Sequence, residues 1–466
     1  MEQNQSPHVV LLTTPGMGHL IPLVELAKHL VQLNFSVTFF IPSDTPITKA
    51  QKSFLDDLPH RVSYHLLTQA NTDDLPPDAK IETRICVLLN RSLPSIHESL
   101  KSLSSTNRIV AFVSDFFGFE SLAIAKELNI PPYIFFSSTA MILSFLLYLP
   151  ELDKKVSGEY KEMTEPVLLP GCIPLNGRDL LDPVQDRGND AYKHMRSAGE
   201  TFKLAEGFLV NTFEDLEPNV LKNLQSSSAV YPVGPLVRMD TNSNGLEGSE
   251  CLDWLDTQPP GSVIFVSFGS GGTHTHTQMT ELAHGLELSQ QRFIWVARSP
   301  SAGVAEANYF SVHSHNDPLA FLPEGFVERV KGRGLVLPSW APQAQVLMHE
   351  STGGFLTHCG WNSTLESIVN GVPLIAWPLY AEQKMNAVFL TEDLKVAIRA
   401  DNDKGEIGRE EVATMVKALI EGEEGEGIRK RMKDMKEAAA KVLSQDGSST
   451  RALLEVVQKW KAVPEN

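Results

Sequence analysis

A short apolar strand, a loop and an amphipathic helix follow one another at the start of the chain. Residues 8–13 are predicted as a buried strand, residues 20–33 as a helix with one apolar face, and residues 36–41 as the next strand. Two further strands are predicted at 109–114 and 133–136, with a helix over 118–128 between them. Strands and helices that alternate in this way favour a parallel, doubly wound sheet.

The same pattern starts again after residue 260. A strand at 262–267 precedes a Gly-rich loop at 268–272, and the later elements are predicted as a helix at 277–288, a strand at 293–297, and further units that begin near 335, 354 and 373. The sequence therefore predicts an α/β protein with two Rossmann-like, doubly wound parallel-sheet domains. Such domains face a cleft, where ligands usually bind.

The domain boundaries follow from composition. We predict an N-terminal domain over 1–237, a polar linker at 238–250, a C-terminal domain over 251–445, and a final helix within 446–466 that packs back on the N-terminal domain. Residues 299–320 are irregular and are predicted as a surface insertion. The run EGEEGEG at 421–427 is predicted as a flexible acidic spacer before a helix at 428–443.

Charge and composition narrow the classes of partner. The 466 residues carry a formal net charge of −17, so their surface repels nucleic acid and anionic lipid. Residues 131–150 lack charge, but prolines and a Ser-Ser-Thr turn favour a strand and a helix over a membrane span. Cys86, Cys172, Cys251 and Cys359 have no CxxC spacing and are predicted as buried free thiols. We expect a cytoplasmic monomer with no nucleic-acid partner and no membrane insertion.

The strongest local signal lies between residues 340 and 383. The run THCGWNS at 357–363 joins a strand predicted at 354–356 to a helix predicted at 361–370. The start of a helix presents free amides and the positive end of its dipole, so it can hold a diphosphate without a metal. His358, Asn362 and Ser363 add side-chain donors at this turn.

Two further residues in this segment suit a nucleoside. Glu366 lies one helical turn after Asn362, where a carboxylate can accept bonds from two ribose hydroxyls. Trp340 offers a flat face for a base. Taken singly, each residue has a structural alternative, and Asn362 and Ser363 could simply cap the helix. The order of all of them around one strand-to-helix turn favours a nucleotide site.

This segment resembles the 44-residue signature box of the plant secondary-product UDP-glycosyltransferases, from its opening Trp340 to its closing Gln383, with no insertion. The resemblance extends to PGMGHLIP at 15–22 and to the FGSGG loop at 268–272, and it spans nearly the whole chain. It is greatest for the hydroquinone glucosyltransferases (arbutin-synthase-like), a group that also handles monolignols, chlorinated phenols and indoxyl. It implies a GT-B architecture, an inverting transfer, UDP-glucose as co-substrate, a small aromatic acceptor, and no cofactor or metal.

The resemblance also implies a role for each matching residue. Trp340 would stack on uracil, with the Ala341 backbone at its edge. The remaining donor-site residues are Gln343 and Glu366 for the ribose; Ser270, His358, Asn362 and Ser363 for the diphosphate; Trp361, Glu382 and Gln383 for the sugar; and Gly18, Thr139 and Tyr380, which complete the set. A closing Gln goes with glucose in this family, so glucose is the expected sugar.

A histidine and an aspartate are the predicted catalytic residues. His19 follows the first strand and begins a helix, whose positive end disfavours a charged imidazole. Asp115 ends another parallel strand at the same sheet edge, where it can bond one ring nitrogen and select the tautomer. By pattern alone both residues could be capping groups. The resemblance assigns them to a general-base dyad, in which His19 removes the proton of the acceptor hydroxyl.

The acceptor pocket is predicted less directly. Phe116 and Phe117 follow Asp115 and are the first candidates for its wall, and Glu82 is a candidate to meet a polar end of the acceptor. The other apolar candidates, each of which could equally belong to the core, are Ile85, Leu88, Phe145, Leu146, Leu181 and Met195.

One segment departs from the family pattern. His274 and His276 follow the Gly-rich loop, where relatives usually carry an aliphatic residue and few histidines. A metal site is the alternative, but a third ligand is missing nearby, so both are predicted as surface residues at a helix entry.

Other functions fit the sequence less well. A nucleotide-dependent oxidoreductase would share the layout, but the loop at 16–18 lacks the third glycine of a dinucleotide site, and Asp44 is a weak ribose partner. A serine hydrolase would need a GxSxG element. A binding protein without activity would be expected to have lost His19 or Asp115.

Overall fold

The computed structural model describes residues 6–45, 47, 49–76, 78–238, 249–301, 317–338, 340–400 and 405–464. The chain divides into two compact units. Unit 1 consists of Met1–Arg178, Pro183–Val237 and Lys441–Asn466, and unit 2 of Asp179–Asp182 and Arg238–Ala440. Most of the predicted linker, at 239–248, and of the predicted insertion, at 302–316, lies outside the described residues.

Unit 1 contains a parallel seven-stranded sheet in the order β3-β2-β1-β4-β5-β6-β7. Its strands are β1 His8–Leu12, β2 Ser36–Ile41, β3 Val62–Leu66, β4 Ile109–Asp115, β5 Pro132–Phe136, β6 Gly207–Val210 and β7 Val230–Pro232. The central strands β1 and β4 are buried along their whole length. Helices cover both faces of such a sheet, which is why these strands are continuous apolar runs rather than alternating ones.

The helices of unit 1 before the second sheet are α1 Met17–Gln32, α2 Lys49–Asp56, α3 Ile81–Ser104, α4 Leu122–Glu127, α5 Ala140–Lys155, α6 Asp190–Thr201 and α7 Pro218–Gln225. Helix α1 buries Leu23, Leu26 and Leu30 against the sheet, as its apolar periodicity predicts. It begins three residues earlier than predicted, so His19 lies in its first turn. The helix predicted at 118–128 is a 3₁₀ turn, Phe116–Ser121, followed by α4.

Unit 2 contains a parallel six-stranded sheet in the order β10-β9-β8-β11-β12-β13. Its strands are β8 Val263–Ser267, β9 Arg292–Ala297, β10 Gly334–Pro338, β11 Thr352–Thr357, β12 Leu374–Ala376 and β13 Ala397–Arg399. Its helices are α8 Ser249–Asp256, α9 His276–Ser289, α10 Phe326–Arg329, α11 Gln343–Met348, α12 Trp361–Asn370, α13 Gln383–Val388, α14 Arg409–Glu421 and α15 Glu423–Val442. These two parallel α/β sheets confirm the predicted fold class.

The six strands of the second sheet follow the same order as the first six strands of the first sheet. In each, the order reverses between the first and the fourth strand of the unit, which are β1 and β4 in unit 1 and β8 and β11 in unit 2. The loops that leave these strands at their carboxyl ends diverge there and form a crevice, the usual binding position in doubly wound sheets. Both predicted functional segments follow these strands.

The prediction of a flexible acidic spacer at 421–427 is wrong. Helix α14 runs to Glu421, and α15 begins at Glu423, so nearly all of the run is helical. The Arg429 side chain of α15 donates to the carbonyls of Leu419 and Ile420 at the end of α14. This contact satisfies carbonyls that the end of a helix leaves open, and it holds the two helices together at Gly422.

The final helix, α16 Ser448–Lys461, packs on the sheet of unit 1. Its Trp460 ring lies 5.4 Å from the ring of Tyr133 and 6.1 Å from that of Phe35, measured between centroids. The Arg108 guanidinium donates to the carbonyl of Lys461, the last residue of the helix, and to that of Val463 just beyond it. Residues from the end of the chain therefore complete the core of unit 1.

The uncharged stretch at 131–150 forms β5 and part of α5, and none of the helices among the described residues is long and apolar enough to cross a bilayer. All four cysteines are thiols rather than members of a disulfide, and Cys86, Cys251 and Cys359 are buried as predicted. Cys172 is partly exposed, because it lies in the loop between α5 and α6 rather than in an element of the core.

Candidate active site

Three polar side chains meet at the carboxyl ends of the neighbouring strands β1, β4 and β5. His19 Nδ1 lies 2.9 Å from Asp115 Oδ2 and 3.3 Å from Ser137 Oγ. Because parallel strands end at the same edge, residues far apart in sequence come together here. When Nδ1 carries the proton that it donates to Asp115, Nε2 holds the lone pair of the ring.

Asp115 is fully buried, and several donors surround its carboxylate. Besides His19, the Thr14 hydroxyl donates to Oδ1 at 2.5 Å and the Phe117 amide donates to the same oxygen at 3.3 Å. A buried carboxylate is costly unless such bonds replace its hydration. Asp115 is therefore held in place from three directions.

Aromatic rings surround the imidazole of His19. The ring centroids of Phe116 and Phe117 lie 5.9 and 5.7 Å from that of His19, and 4.1 Å from each other. Phe136, at the end of β5, lies 5.1 Å from Phe116. The side of the dyad that these rings cover is apolar, which suits a flat organic molecule more than a charged one.

The second candidate site is at the crevice of unit 2, where His358 follows β11. A Cβ atom on Gly269 would stand 2.6 Å from the His358 ring, and one on Gly360 would stand 2.4 Å from Nε2. Only glycine can flank the ring so closely, and Gly269 also has φ of 75°. The two glycines hold the imidazole between the loop after β8 and the start of α12.

His358 is neutral at physiological pH. Burial lowers the pKa of its imidazole to about 4, and Nδ1 has no hydrogen-bond partner among the described residues. A buried ring atom with an unmet bond marks a place where a ligand or a water can supply the partner. The first turn of α12, with Trp361, Asn362 and Ser363, follows directly.

A carboxylate and an amide meet beside the same helix. The Gln343 amide, at the start of α11, donates to Ser363 Oγ at 2.9 Å and to Glu366 Oε2 at 2.5 Å. Burial raises the pKa of Glu366 to about 7. Trp340 precedes this pair and is 45% exposed, whereas Ala341 is buried. Among the residues that the structure describes, Glu366 has no ion-pair partner, so its carboxylate can accept bonds from neutral hydroxyls.

The Gln383 side chain stabilises the loop between β12 and α13 through hydrogen bonds to the backbone of that loop. Gln383 Oε1 accepts bonds from the Leu379 amide at 2.8 Å and the Tyr380 amide at 3.0 Å, so the side-chain NH₂ group is the end that faces away from them. Asn386 Nδ2 donates to the Cys359 carbonyl at 2.9 Å and lies 3.4 Å from Glu382 Oε1. These bonds connect this loop to the loop after β11.

Comparisons with known proteins show which family the chain belongs to. The family described as UDP-glucoronosyl and UDP-glucosyl transferase matches residues 240–426. A hydroquinone glucosyltransferase of Rauvolfia serpentina is 58% identical over 462 residues, which cover 98% of each chain. A Polygonum tinctorium UDP-glucosyltransferase capable of glucosylating indoxyl, solved in a complex with 3,4-dichloroaniline, has a TM-score of 0.92 and 50% identity, and 99% of this chain and 100% of that chain are covered.

Phytolacca americana UGT2, solved with UDP-2fluoro-glucose and pterostilbene, has a TM-score of 0.90 and 48% identity over 99% of this chain and 100% of that chain. The chain belongs to the plant family 1 UDP-glycosyltransferases. It is therefore an enzyme that transfers a sugar from a UDP-sugar, and it has the GT-B architecture of these crystal structures.

The other predicted donor residues of this glycosyltransferase differ in their exposure and in the unit to which they belong. Trp361 is 3% exposed and packs near Phe389, with ring centroids 6.3 Å apart. Thr139 is fully buried in unit 1, and its hydroxyl caps α5 by accepting a bond from the Ile142 amide. Gly18 is exposed in the first turn of α1, and Ser270 is exposed in unit 2 after the turn at Gly269. Their roles towards the donor stay predictions.

The predicted acceptor residues of the glycosyltransferase are mostly buried. Glu82 is 4% exposed, and the apolar candidates that are 5% exposed or less within unit 1 are Ile85, Leu88, Phe145, Leu146 and Met195. Leu181 lies in the segment Asp179–Asp182, which belongs to unit 2 although the sequence analysis placed it within the N-terminal domain. Its role towards the acceptor stays a prediction. An ion pair between Asp179 and Arg399 of β13 holds that segment there.

His274 also requires a correction. The ring was predicted at the surface, but its centroid lies 4.2 Å from that of Phe268 and 5.4 Å from that of Trp377, and burial lowers its pKa to about 3. Thr275 is the residue that caps α9, so His274 lies before the helix and turns inward, while His276 is exposed as predicted. The His274 imidazole packs against these two aromatic rings in a largely apolar setting.

Thr14 and Ser137 are two site residues that the sequence analysis missed. Both follow strands that end at the edge where His19 and Asp115 meet, which is the signal that could have found them. Their short hydroxyl side chains are common in loops, so composition alone does not distinguish them from turn residues.

Proposed function

We propose that this glycosyltransferase transfers glucose from UDP-glucose to the hydroxyl group of a small aromatic acceptor and forms a β-D-glucoside. The observation that carries the proposal is the contact between His19 Nδ1 and Asp115 Oδ2 beside Phe116 and Phe117. It joins a proton acceptor to a wall of aromatic rings. The relatives named above act on hydroquinone and indoxyl, or were solved with pterostilbene, and all three compounds are small aromatics.

His19 is the general base in this proposal. Asp115 takes a hydrogen bond from Nδ1 and thereby keeps the lone pair on Nε2, which removes the proton of the acceptor hydroxyl as the oxygen attacks the anomeric carbon. Asp115 also stabilises the imidazolium that this step forms. Phenols are more acidic than aliphatic alcohols, so their protons pass more readily to an imidazole base.

The donor occupies the crevice of unit 2 in this proposal. Trp340 stacks on the uracil, and Gln343 and Glu366 bind the ribose hydroxyls. The amides at the start of α12, with His358, Asn362, Ser363 and Ser270, meet the charge that grows on the diphosphate as UDP leaves. Attack from the face opposite to UDP inverts the configuration, so an α-linked donor gives a β-linked product.

Gln383 is the proposed glucose contact. Its oxygen is engaged by two backbone amides of its own loop, so the NH₂ group offers donors to sugar hydroxyls, and Glu382 offers acceptors beside it. Together they can distinguish the orientations of the sugar hydroxyls.

Product analysis tests the proposal. The full chain is mixed with UDP-glucose, UDP-galactose or UDP-xylose and with a panel of phenols, aliphatic alcohols, anilines and thiols, and products are identified by mass and by the anomeric coupling in NMR spectra. We expect β-glucosides of phenols as the fastest products. Faster use of another donor would refute the glucose assignment, faster use of aliphatic alcohols would refute the aromatic acceptor, and α-linked products would refute the inverting mechanism.

A further inference from the structure

A four-residue segment, Asp179–Asp182, is built into unit 2 although residues on both sides of it in sequence belong to unit 1. We name it the strap. Asp179 Oδ1 lies 2.5 Å from Arg399 Nη2, and the backbone amide of Asp182 donates to the carbonyl of Ala381 at 2.8 Å. Leu180 and Leu181 between them are 0% and 5% exposed. The strap therefore has a polar anchor at each end and an apolar middle.

The carbonyl that the strap holds belongs to a strained position. Ala381 has φ of 55°, a left-handed conformation that side chains with a Cβ rarely adopt. It lies in the loop between β12 and α13, next to Glu382 and Gln383, which we propose as sugar contacts. The amides of Leu379 and Tyr380 donate to the Gln383 side chain of the same loop. The Ala381 carbonyl instead accepts its hydrogen bond from the strap. A non-glycine residue keeps such a conformation only when its surroundings impose it.

The ion pair explains how the strap is kept in place. Arg399 lies in β13 and is paired in register with Ala376, the last residue of β12, so it stands beside the start of the same loop. The Asp179 side chain is 5% exposed and that of Arg399 is 25% exposed. A pair this sheltered is costly to break from one side, because without the Asp179 charge Arg399 is left with a longer ion pair, 3.9 Å from its Nη1 to Oε1 of the exposed Glu392.

We propose that the strap is a positioning element for donor-sugar recognition, with Asp179 and the Asp182 amide acting through Ala381 on Glu382 and Gln383. This inference rests on the proposed function, which assigns those two residues to the sugar. It implies that loosening the strap affects the sugar of the donor and not the nucleotide, since the proposed uracil, ribose and diphosphate contacts come from other loops.

The Asp179→Asn variant of the full chain is the first test. Asparagine keeps the shape of the side chain but removes the charge that holds Arg399. We measure the Kd of UDP and of UDP-glucose by calorimetry and compare the ratio of the two with that of the unaltered chain. We expect the Kd of UDP-glucose to rise by about five- to tenfold, as for a sheltered charged hydrogen bond, and the Kd of UDP to stay within about twofold.

The Glu281→Gln variant is the matched control. Glu281 pairs with Arg409, which joins α9 to α14 in the same unit. Loss of that pair should lower the melting temperature without changing the ratio of the two Kd values. If Asp179→Asn weakens UDP and UDP-glucose equally, or leaves the ratio unchanged, the strap has a structural role alone and the inference is overturned.

A rescue experiment sharpens the test. Glycine adopts the left-handed conformation without strain, so adding Ala381→Gly to Asp179→Asn should restore at least half of the lost affinity for UDP-glucose. Should Asp179→Asn fail to fold, Arg399→Lys keeps the charge without the planar fork and should shift the ratio in the same direction by about two- to threefold. An unchanged ratio in a folded Arg399→Lys variant would overturn the inference equally.

Glucose transfer by the unaltered chain is measured before any variant. Its absence would refute the proposed function and the inference that rests on it. Transfer with an unchanged Kd ratio in Asp179→Asn would refute the inference and leave the proposed function standing.

Discussion

The crevices of unit 1 and unit 2 occupy the same place in two sheets of the same strand order, yet they present opposite electrostatics. The crevice of unit 1 holds a buried carboxylate bonded to an imidazole, a hydroxyl and an amide. The crevice of unit 2 holds a neutral imidazole between two glycines and the open amides of a helix start. The fold sets where a ligand can bind, and a few side chains set which chemistry follows.

The two carboxylates show the difference most directly. Asp115 accepts bonds from three donors within unit 1 and is complete without a ligand. Glu366 accepts a bond from Gln343, and burial raises its pKa to about 7. The first crevice is therefore preorganised for a proton transfer, whereas the second has polar groups that a bound nucleotide would satisfy. Four predictions test whether the two crevices divide the work in this way, and a fifth tests the effect of Glu366 on stability.

The largest effect is expected from His19→Ala. Loss of the base should lower kcat for a phenol by about 10²–10⁴-fold, the usual contribution of a general base. The Kd of UDP, measured by calorimetry, should stay unchanged because the nucleotide is assigned to unit 2. His60→Ala, at an exposed position of unit 1, is the control and should retain full activity. A fall in UDP affinity in His19→Ala would contradict the assignment of the nucleotide to unit 2 alone.

Asp115→Asn should have the next largest effect, about 10–10²-fold on kcat. The amide can donate to Nδ1, which favours the tautomer whose lone pair is on the wrong nitrogen. Ser137→Ala removes the weaker contact to the same nitrogen and should cost only about two- to fivefold. Steady-state kinetics with a phenol would measure both, and equal losses would show that Asp115 has no special part in orienting the ring.

Gly360→Ala should disrupt the crevice of unit 2 and leave the crevice of unit 1 unchanged. Its Cβ would stand 2.4 Å from His358 Nε2 and displace the ring, and we expect the Kd of UDP to rise by about tenfold, or ~1.4 kcal/mol. Gly408→Ala is the matched control, because its Cβ would meet its nearest neighbour at 3.8 Å, an ordinary contact. Equal UDP affinities in the two variants would argue against a role for His358 at the diphosphate.

The smallest effect is expected for the change in UDP affinity with pH that Glu366 causes. Ribose hydroxyls donate to the carboxylate, so UDP binding favours the charged form of a group whose pKa without ligand is about 7. Affinity for UDP should therefore fall by about fourfold between pH 8 and pH 6.5 through this group. The diphosphate of UDP also titrates, so the measurement is the difference between the pH profile of the unaltered chain and that of Glu366→Gln. Parallel profiles would contradict the assignment of Glu366 to the ribose.

Affinity for UDP should rise with pH through Glu366, but the stability of the chain without ligand should fall as pH rises through the same group. The pKa of the folded state, about 7, lies above the ordinary value of 4.5. The carboxyl therefore destabilises the fold progressively as pH rises from about 4.5 to 7, and the loss stays constant above that. Glu366→Gln should unfold at a higher temperature than the unaltered chain at pH 8, and the difference should vanish near pH 4.

The sequence by itself determined the features that are written in short runs. Apolar strands and periodic helices predict the two sheets, and the strand-to-helix turn at 357–363 predicts the crevice of unit 2, because its residues lie within one loop and one helical turn. His19 and Asp115 were predictable as neighbours because both follow parallel strands, and their contact at 2.9 Å confirms that placement.

The tertiary structure decided what depends on elements that are distant in sequence. It brought Thr14 and Ser137 to the dyad, turned His274 into an apolar setting and attached the strap to unit 2. It also extended helix α15 into an acidic run, with Arg429 as a cap for the preceding helix. Periodicity and turn chemistry act over a few residues, whereas burial, hydrogen-bond partners and pKa values are set by whichever residues packing brings alongside.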